Sequence, residues 1–108
     1  MKVNNNNPLD LFADAGEVIT ISVVEQDTVR QIRKSLNGLP LIPDLFTVPN
    51  VPDPTLLTVT FGFSGNAGLG RYTITLTGSN GGDTSLFFVH EPPGPKISSV
   101  TYTIDVTR

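Results

Sequence analysis

The sequence predicts an all-β domain folded as a two-layer antiparallel β-sandwich. Apolar side chains alternate with hydroxyl side chains over several stretches, and β-branched residues are frequent in them, which is the pattern of strands with one buried face. Residues that favour turns separate these stretches. One stretch, residues 86–89, is apolar at every position and therefore needs cover on both faces. With 108 residues, the chain is long enough for one domain with a single core.

The chain begins with a polar lead. Residues 4–7 are four consecutive Asn ahead of Pro8, a composition typical of a linker or a domain boundary. We therefore expect residues 1–8 to be a disordered or linker lead and residues 9–108 to be the sandwich domain. The lead lacks the apolar segment of a signal peptide. The chain is then either cytoplasmic or a fragment of an exported protein, and we favour the fragment.

Five stretches of the remaining chain have the strand pattern. Residues 78–83 supply a Gly-rich turn between two of these strands, which predicts a hairpin. Five prolines within residues 39–54 exclude a central strand there and predict a surface or edge segment. The predicted strands are 17–25, 55–63, 71–77, 86–89 and 99–107. Residues 9–12 are predicted as a short strand or cap, residues 64–70 as a loop, and residues 65–70 within it as a hairpin connection. The predicted inner-face residues are Ile19, Ile21, Val23, Leu57, Val59, Phe61, Phe63, Tyr72, Ile74, Leu76, Val100, Tyr102, Ile104 and Val106.

Residues 27–38 fit two structures. Asp27 can cap a helix in which Val29, Ile32 and Leu36 share one face, with Gly38 as its end. Alternatively, a strand turns at Asn37-Gly38, since Asn-Gly is a strong hairpin signal. In the strand, regular alternation would place basic side chains on the apolar face. We therefore favour one short helix over the strand.

Three stretches, residues 16–23, 71–78 and 101–106, resemble strands of the immunoglobulin-like and pre-peptidase C-terminal type β-sandwich modules of bacterial secreted and surface proteins. The chain lacks the Cys and Trp of the antibody type. The resemblance implies an immunoglobulin-like, non-catalytic accessory module that serves spacing, adhesion or docking, outside the cell or on its surface. It carries over no functional residue.

Composition excludes several other classes of protein. The formal net charge is −3, whereas a nucleic-acid surface needs a basic stripe. The chain contains no Cys, which excludes disulfides and thiolate metal sites. No stretch of the sequence approaches the roughly 20 apolar residues of a membrane span. We expect no nucleic acid partner and no membrane insertion.

Catalytic motifs are incomplete. Ser64 lies between glycines, but Asn66 stands where a nucleophile elbow has Gly. The chain has one His, His90, so any Ser-His-Asp triad depends on it. The triplet Asp83-Thr84-Ser85 is followed by Leu86, not by the Gly of a retroviral-type aspartic protease. We therefore expect no enzyme.

Two kinds of ligand remain open. Asn80 and Asp83 supply oxygen atoms in one turn, and Asp14 and Glu17 supply them in another, so calcium is a candidate cofactor. Phe87 and Phe88 are neighbours on one predicted strand, so one of them is a candidate sugar platform. The expected function is a spacer, adhesion or docking module, with a carbohydrate-binding module and a calcium-stabilised module as alternatives. The partner is a protein or a polysaccharide, and the chain is a monomer or a weak homodimer.

Overall fold

The computed structural model describes residues 1–4, 6–27, 29–50, 56–65, 70–82, 84–91 and 96–107. Within these ranges the regular elements are strands, which confirms the all-β prediction. No helix that could span a membrane occurs among them. The strands are β1 (Lys2–Asn4), β2 (Asn7–Asp14), β3 (Val18–Asp27), β4 (Arg30–Leu36), β5 (Leu39–Pro40), β6 (Leu45–Thr47), β7 (Leu56–Gly65), β8 (Gly70–Gly78), β9 (Ser85–Glu91) and β10 (Lys96–Thr107).

The strands form two sheets that pack face to face. The six-stranded sheet has the order β1-β2-β10-β7-β4-β5, and the four-stranded sheet has the order β6-β3-β8-β9. The pair β2 and β10 is parallel, whereas the central β10–β7 and β3–β8 pairs are antiparallel over nine or more residue pairs. The predicted two-layer sandwich is therefore confirmed.

The strand order differs from that of a constant-type immunoglobulin domain. In that domain the last two strands share one sheet, whereas here β9 and β10 lie in different sheets. The segment between β7 and β8 likewise connects two sheets, so the predicted hairpin connection at residues 65–70 is wrong. The β8–β9 hairpin is confirmed.

The core lies between the sheets and contains the residues expected from the period-two pattern, together with Met1, Leu11, Ala13, Val29, Phe46 and Val48. Of the predicted inner-face residues, Val23 is half-buried and the others are buried. Phe63 and Tyr72 come from opposite sheets, and their rings stack with centroids 3.6 Å apart. The Tyr72 hydroxyl lies 3.3 Å from the Ser98 hydroxyl. These contacts hold one layer against the other.

The helix expected within residues 27–38 is wrong, because residues 30–36 form strand β4. Asn37 and Gly38 have φ values of 52° and 83°, the left-handed conformation that a tight hairpin turn requires. A register shift in the pairing with β7 places Arg30 opposite Ser64 and Lys34 opposite Phe61. Arg30 therefore lies on the outer face, and Lys34 alone stands on the apolar side, at the sheet edge. Regular alternation would place both basic side chains on the apolar face, whereas the bulged strand places only Lys34 there.

The described residues among the first eight, 1–4 and 6–8, are part of the fold, in contrast to the expected linker lead. Strand β1 pairs with β2, with Val3 opposite Leu11. Asn6 adopts a φ of 60°, a conformation that Asn tolerates better than most residues. Asn6 thus lies in a turn, and Met1 is buried in the core.

The proline-rich segment lies at the sheet edges, as predicted. Strand β5, which contains Pro40, ends the six-stranded sheet, and β6 ends the four-stranded sheet. Both strands are short. A proline on an edge strand removes a donor where another chain would pair.

Candidate binding groove

The turn after β8 meets the turn between β2 and β3 at one end of the sandwich. The Asn80 side-chain amide donates to an Asp14 carboxylate oxygen at 3.0 Å. The Asn80 backbone N–H donates to Glu17 Oε2 at 3.2 Å. The two loops that the sequence offers separately as calcium ligands are therefore adjacent in the structure.

Glu17 is the centre of this cluster. Its side chain has no exposed surface, and Oε2 lies 2.8 Å from the Met1 ammonium. Oε1 accepts from the Asp14 backbone N–H at 3.0 Å. Burial by itself raises the pKa of Glu17, but hydrogen bonds from the ammonium and the two backbone amides, with the attraction of the ammonium charge, outweigh it and hold the pKa below its ordinary value.

Gly78 makes room for this carboxylate. A Cβ at position 78 would lie 2.0 Å from Glu17 Oε2, which is far inside van der Waals contact. Asn80 and the ammonium both donate to Glu17, so the cluster is held by the chain's own donors. Asp83, the other calcium candidate, lies outside the described residues. Among those described, no cluster of three or more His, Cys, Asp or Glu residues could hold a metal, and calcium binding stays a prediction.

The candidate sugar platform falls on β9. Phe87 pairs with Ile74, and Phe88 pairs with Thr73. Since paired residues share a face of a sheet, position 87 belongs to the inner face and position 88 to the outer face of the four-stranded sheet. The side chains of Phe87 and Phe88 lie outside the described part of the structure, and a sugar platform on β9 stays a prediction. Ser64 and His90 lie on β7 and β9, in different sheets.

A groove lies on the outer face of the six-stranded sheet, beside the β4–β5 hairpin. It is an open groove of about 570 Å³, within the roughly 300–1,000 Å³ range of ligand sites. We call it the β4 groove. Its lining residues are Ile32, Arg33, Lys34, Ser35, Gly38, Pro40 and Thr60.

A β-bulge in β4 positions two of the residues that line the β4 groove, Ile32 and Arg33. Ile32 is the extra residue where the register with β7 shifts, and Arg33 pairs with Gly62. A Cβ at Gly62 would lie 3.1 Å from Arg33 Cβ and 3.7 Å from Ile32 Cγ1. Gly62 therefore lets both side chains start close to the sheet, and a bulge of this kind re-aims the side chains that it carries.

The floor of the groove is a row across the sheet. Three of the lining residues, Pro40, Ser35 and Thr60, are successive partners on β5, β4 and β7, and the row continues outside the groove to Thr101 on β10. The Thr60 and Thr101 hydroxyls lie 3.1 Å apart. A ligand on this floor meets hydroxyl groups, with Ile32 and Pro40 as apolar contacts.

Two basic residues line the groove, but only Arg33 shares the outer face of β4 with it, since Lys34 is paired with the inner-face residue Phe61. The Lys34 ammonium pairs with the Asp44 carboxylate and donates to the Ile42 carbonyl at 3.3 Å, and its side chain is 8% exposed. The Arg33 side chain is exposed, and no acceptor among the described residues pairs with its guanidinium. The groove therefore presents a positive charge on Arg33 that no described residue neutralises.

The sequence prediction missed this groove. One signal for it was visible, since Gly62 lies between two aromatic core positions and an isolated Gly in a strand suggests a bulge. The other lining residues come together through the hairpin at Asn37-Gly38, and the sequence analysis favoured a helix over that hairpin. No protein-family model, curated protein or solved structure matches the chain.

Proposed function

We propose that the chain is a non-catalytic β-sandwich module of a secreted or cell-surface bacterial protein, and that it docks to a partner through the β4 groove. The observation that supports this proposal is a groove lined by hydroxyls and an uncompensated guanidinium on the outer face of the sheet. The resemblance to bacterial accessory modules supports the same class of function.

The chemistry of the groove favours binding over catalysis. General acid–base catalysis needs a group that gains and loses a proton near neutral pH. Arginine stays protonated in proteins, and Lys34 is held by Asp44. Ser35 and Thr60 supply hydroxyls that donate and accept hydrogen bonds. These groups are suited to orienting a polar ligand.

A carbohydrate is the partner class that a specific observation favours. The lining residues Ser35 and Thr60 are partners on adjacent strands, and their hydroxyls can donate to and accept from sugar hydroxyl groups. Ile32 is 57% exposed at the bulge and offers an apolar contact for the C–H face of a sugar ring.

The test is retention of the purified chain on immobilised purified polysaccharides and cell-surface proteins. Ser35→Tyr fills the groove floor, whereas Ser22→Tyr makes the same change at an exposed position paired with Thr75 on the other sheet. We expect retention on at least one surface, with about tenfold weaker binding, roughly 1.4 kcal/mol, for Ser35→Tyr alone. Equal binding of both variants, or turnover of the immobilised polymer, would contradict the proposal.

A further inference from the structure

Resting on the proposed docking function, a more specific inference concerns the ligand of the β4 groove. We propose that the groove binds a polysaccharide that contains uronic acid units, and that Arg33 pairs with the carboxylate of one unit. Ser35 and Thr60 then hydrogen-bond the sugar hydroxyls, and Ile32 contacts the ring.

The first step is the charge of Arg33. Its guanidinium is exposed and has no described acceptor, while the neighbouring Lys34 is neutralised by Asp44. A guanidinium presents its N–H donors in a planar fork that matches both oxygens of a carboxylate. The free donor in this groove therefore selects a planar anion.

The second step is the position of that fork. The bulge and Gly62 bring the start of the Arg33 side chain against the sheet, one row away from the hydroxyl floor. Rows on one face of a strand are about 6.7 Å apart. A ligand that spans both rows carries its carboxylate and its hydroxyl groups on one compact unit, as a uronic acid does.

The third step is the absence of competing carboxylates among the described side chains near β4. Asp44 is bound to Lys34, and Glu25 accepts from the Gln31 backbone N–H. On this outer face, Asp10 and Asp105 lie toward β2 and the far end of β10. An anionic ligand can thus reach Arg33 although the chain as a whole carries a net charge of −3.

An acidic peptide fits this groove less well than a glycan. Extended peptides gain most of their affinity by adding a strand to a sheet edge. The edge beside the groove is β5, two residues long and containing Pro40, which removes a backbone donor. The hydroxyl floor instead offers bonds that a polyhydroxylated chain can use repeatedly.

The experiment measures binding of the full chain to polygalacturonate, methyl-esterified polygalacturonate, neutral galactan and poly-Glu by calorimetry. Of the four polymers, we expect the chain to bind only polygalacturonate. Arg33→Gln should weaken this binding about tenfold or more. Arg33→Lys should weaken it less, because lysine keeps the positive charge but lacks the planar fork of N–H donors. Arg30→Gln, on the same strand with a guanidinium that donates to the Val29 carbonyl, is the matched control and should change the affinity less than about twofold. Thermal unfolding of each variant checks the fold.

Equal binding of the esterified or neutral polymer would overturn the inference, because the carboxylate would then be irrelevant. Equal binding of poly-Glu would replace the glycan with an acidic peptide. The chain could instead bind another surface, with weaker retention of Ser35→Tyr, and fail to bind polygalacturonate. That result would overturn this inference and leave the docking function intact. No binding to any surface would contradict both.

Discussion

Glu17 has no exposed side-chain surface, and both of its carboxylate oxygens accept hydrogen bonds. Removing a charged carboxylate from water is costly unless donors replace the water. Here the Met1 ammonium and the amides of Asp14 and Asn80 do so, and they hold the pKa of Glu17 below the ordinary 4.5. The folded chain then binds fewer protons than the unfolded chain in that range. The resulting stability is complete above the ordinary carboxyl pKa and is lost as pH falls through the folded value.

We predict that Glu17→Gln lowers the free energy of unfolding by about 3 kcal/mol at neutral pH, because one partner of a buried pair is removed. It should also flatten the fall in stability below about pH 4.5. Urea unfolding at a series of pH values measures both effects. Glu25→Gln is the control, since Glu25 also accepts a backbone N–H but is exposed. If the free energy of unfolding falls equally at acid pH in the wild type and in Glu17→Gln, Glu17 is not the group responsible for that fall.

At the scale of single elements, the β4–β5 hairpin positions the groove. Asn37 and Gly38 occupy the two left-handed turn positions. The Asn37 side-chain oxygen accepts from the Thr58 backbone N–H at 2.9 Å, and the Asn37 backbone N–H donates to the Thr58 carbonyl at 2.8 Å. The turn is therefore tied to β7 as well as closed on itself.

We predict that Asn37→Ala destabilises the domain by about 1–2 kcal/mol, because it removes the bond to Thr58 and a residue suited to positive φ. Asn37→Asp keeps the acceptor and most of the conformational tolerance, and should cost less. Chemical denaturation of both variants measures the difference. The same loss in both would mean that the side-chain bond contributes nothing to the hairpin.

At the scale of the whole molecule, stability depends on burying the inner faces of two sheets against each other. Leu57 is 1% exposed, whereas its neighbour Leu56 is 55% exposed, because successive residues of a strand face opposite sides. The Phe63–Tyr72 stack joins the layers, so the sheets should not unfold separately.

We predict that Leu57→Ala costs about 2–5 kcal/mol and that the same change at Leu56 costs less than about 1 kcal/mol. The wild-type chain should lose its far-ultraviolet and tyrosine signals in one transition. Denaturant unfolding followed by both signals tests the two expectations together. Similar losses for the two variants, or two separate transitions, would contradict the packing of the layers.

Local sequence patterns were enough to predict the two layers and most of the core. Period-two alternation assigns Val59, Ile74 and Ile104 to inner faces without reference to their partners, and the structure buries all three. The prolines of residues 39–54 likewise predicted an edge segment, because each proline lacks the backbone N–H that a central strand needs for pairing. Such features depend on backbone chemistry that is local to each residue.

Only the tertiary structure decided the strand order, the choice of hairpin over helix and the β4 groove. The apolar spacing of residues 29–36 fits a helix locally, but pairing with β7 and the bulge at Ile32 place those side chains on a sheet. Glu17 and Asn80 are 63 residues apart in the chain and meet at one oxygen. Lys34 and Asp44 pair with each other, whereas no described acceptor pairs with the guanidinium of Arg33. Each of these outcomes depends on contacts between distant segments, and no periodicity within a segment encodes them.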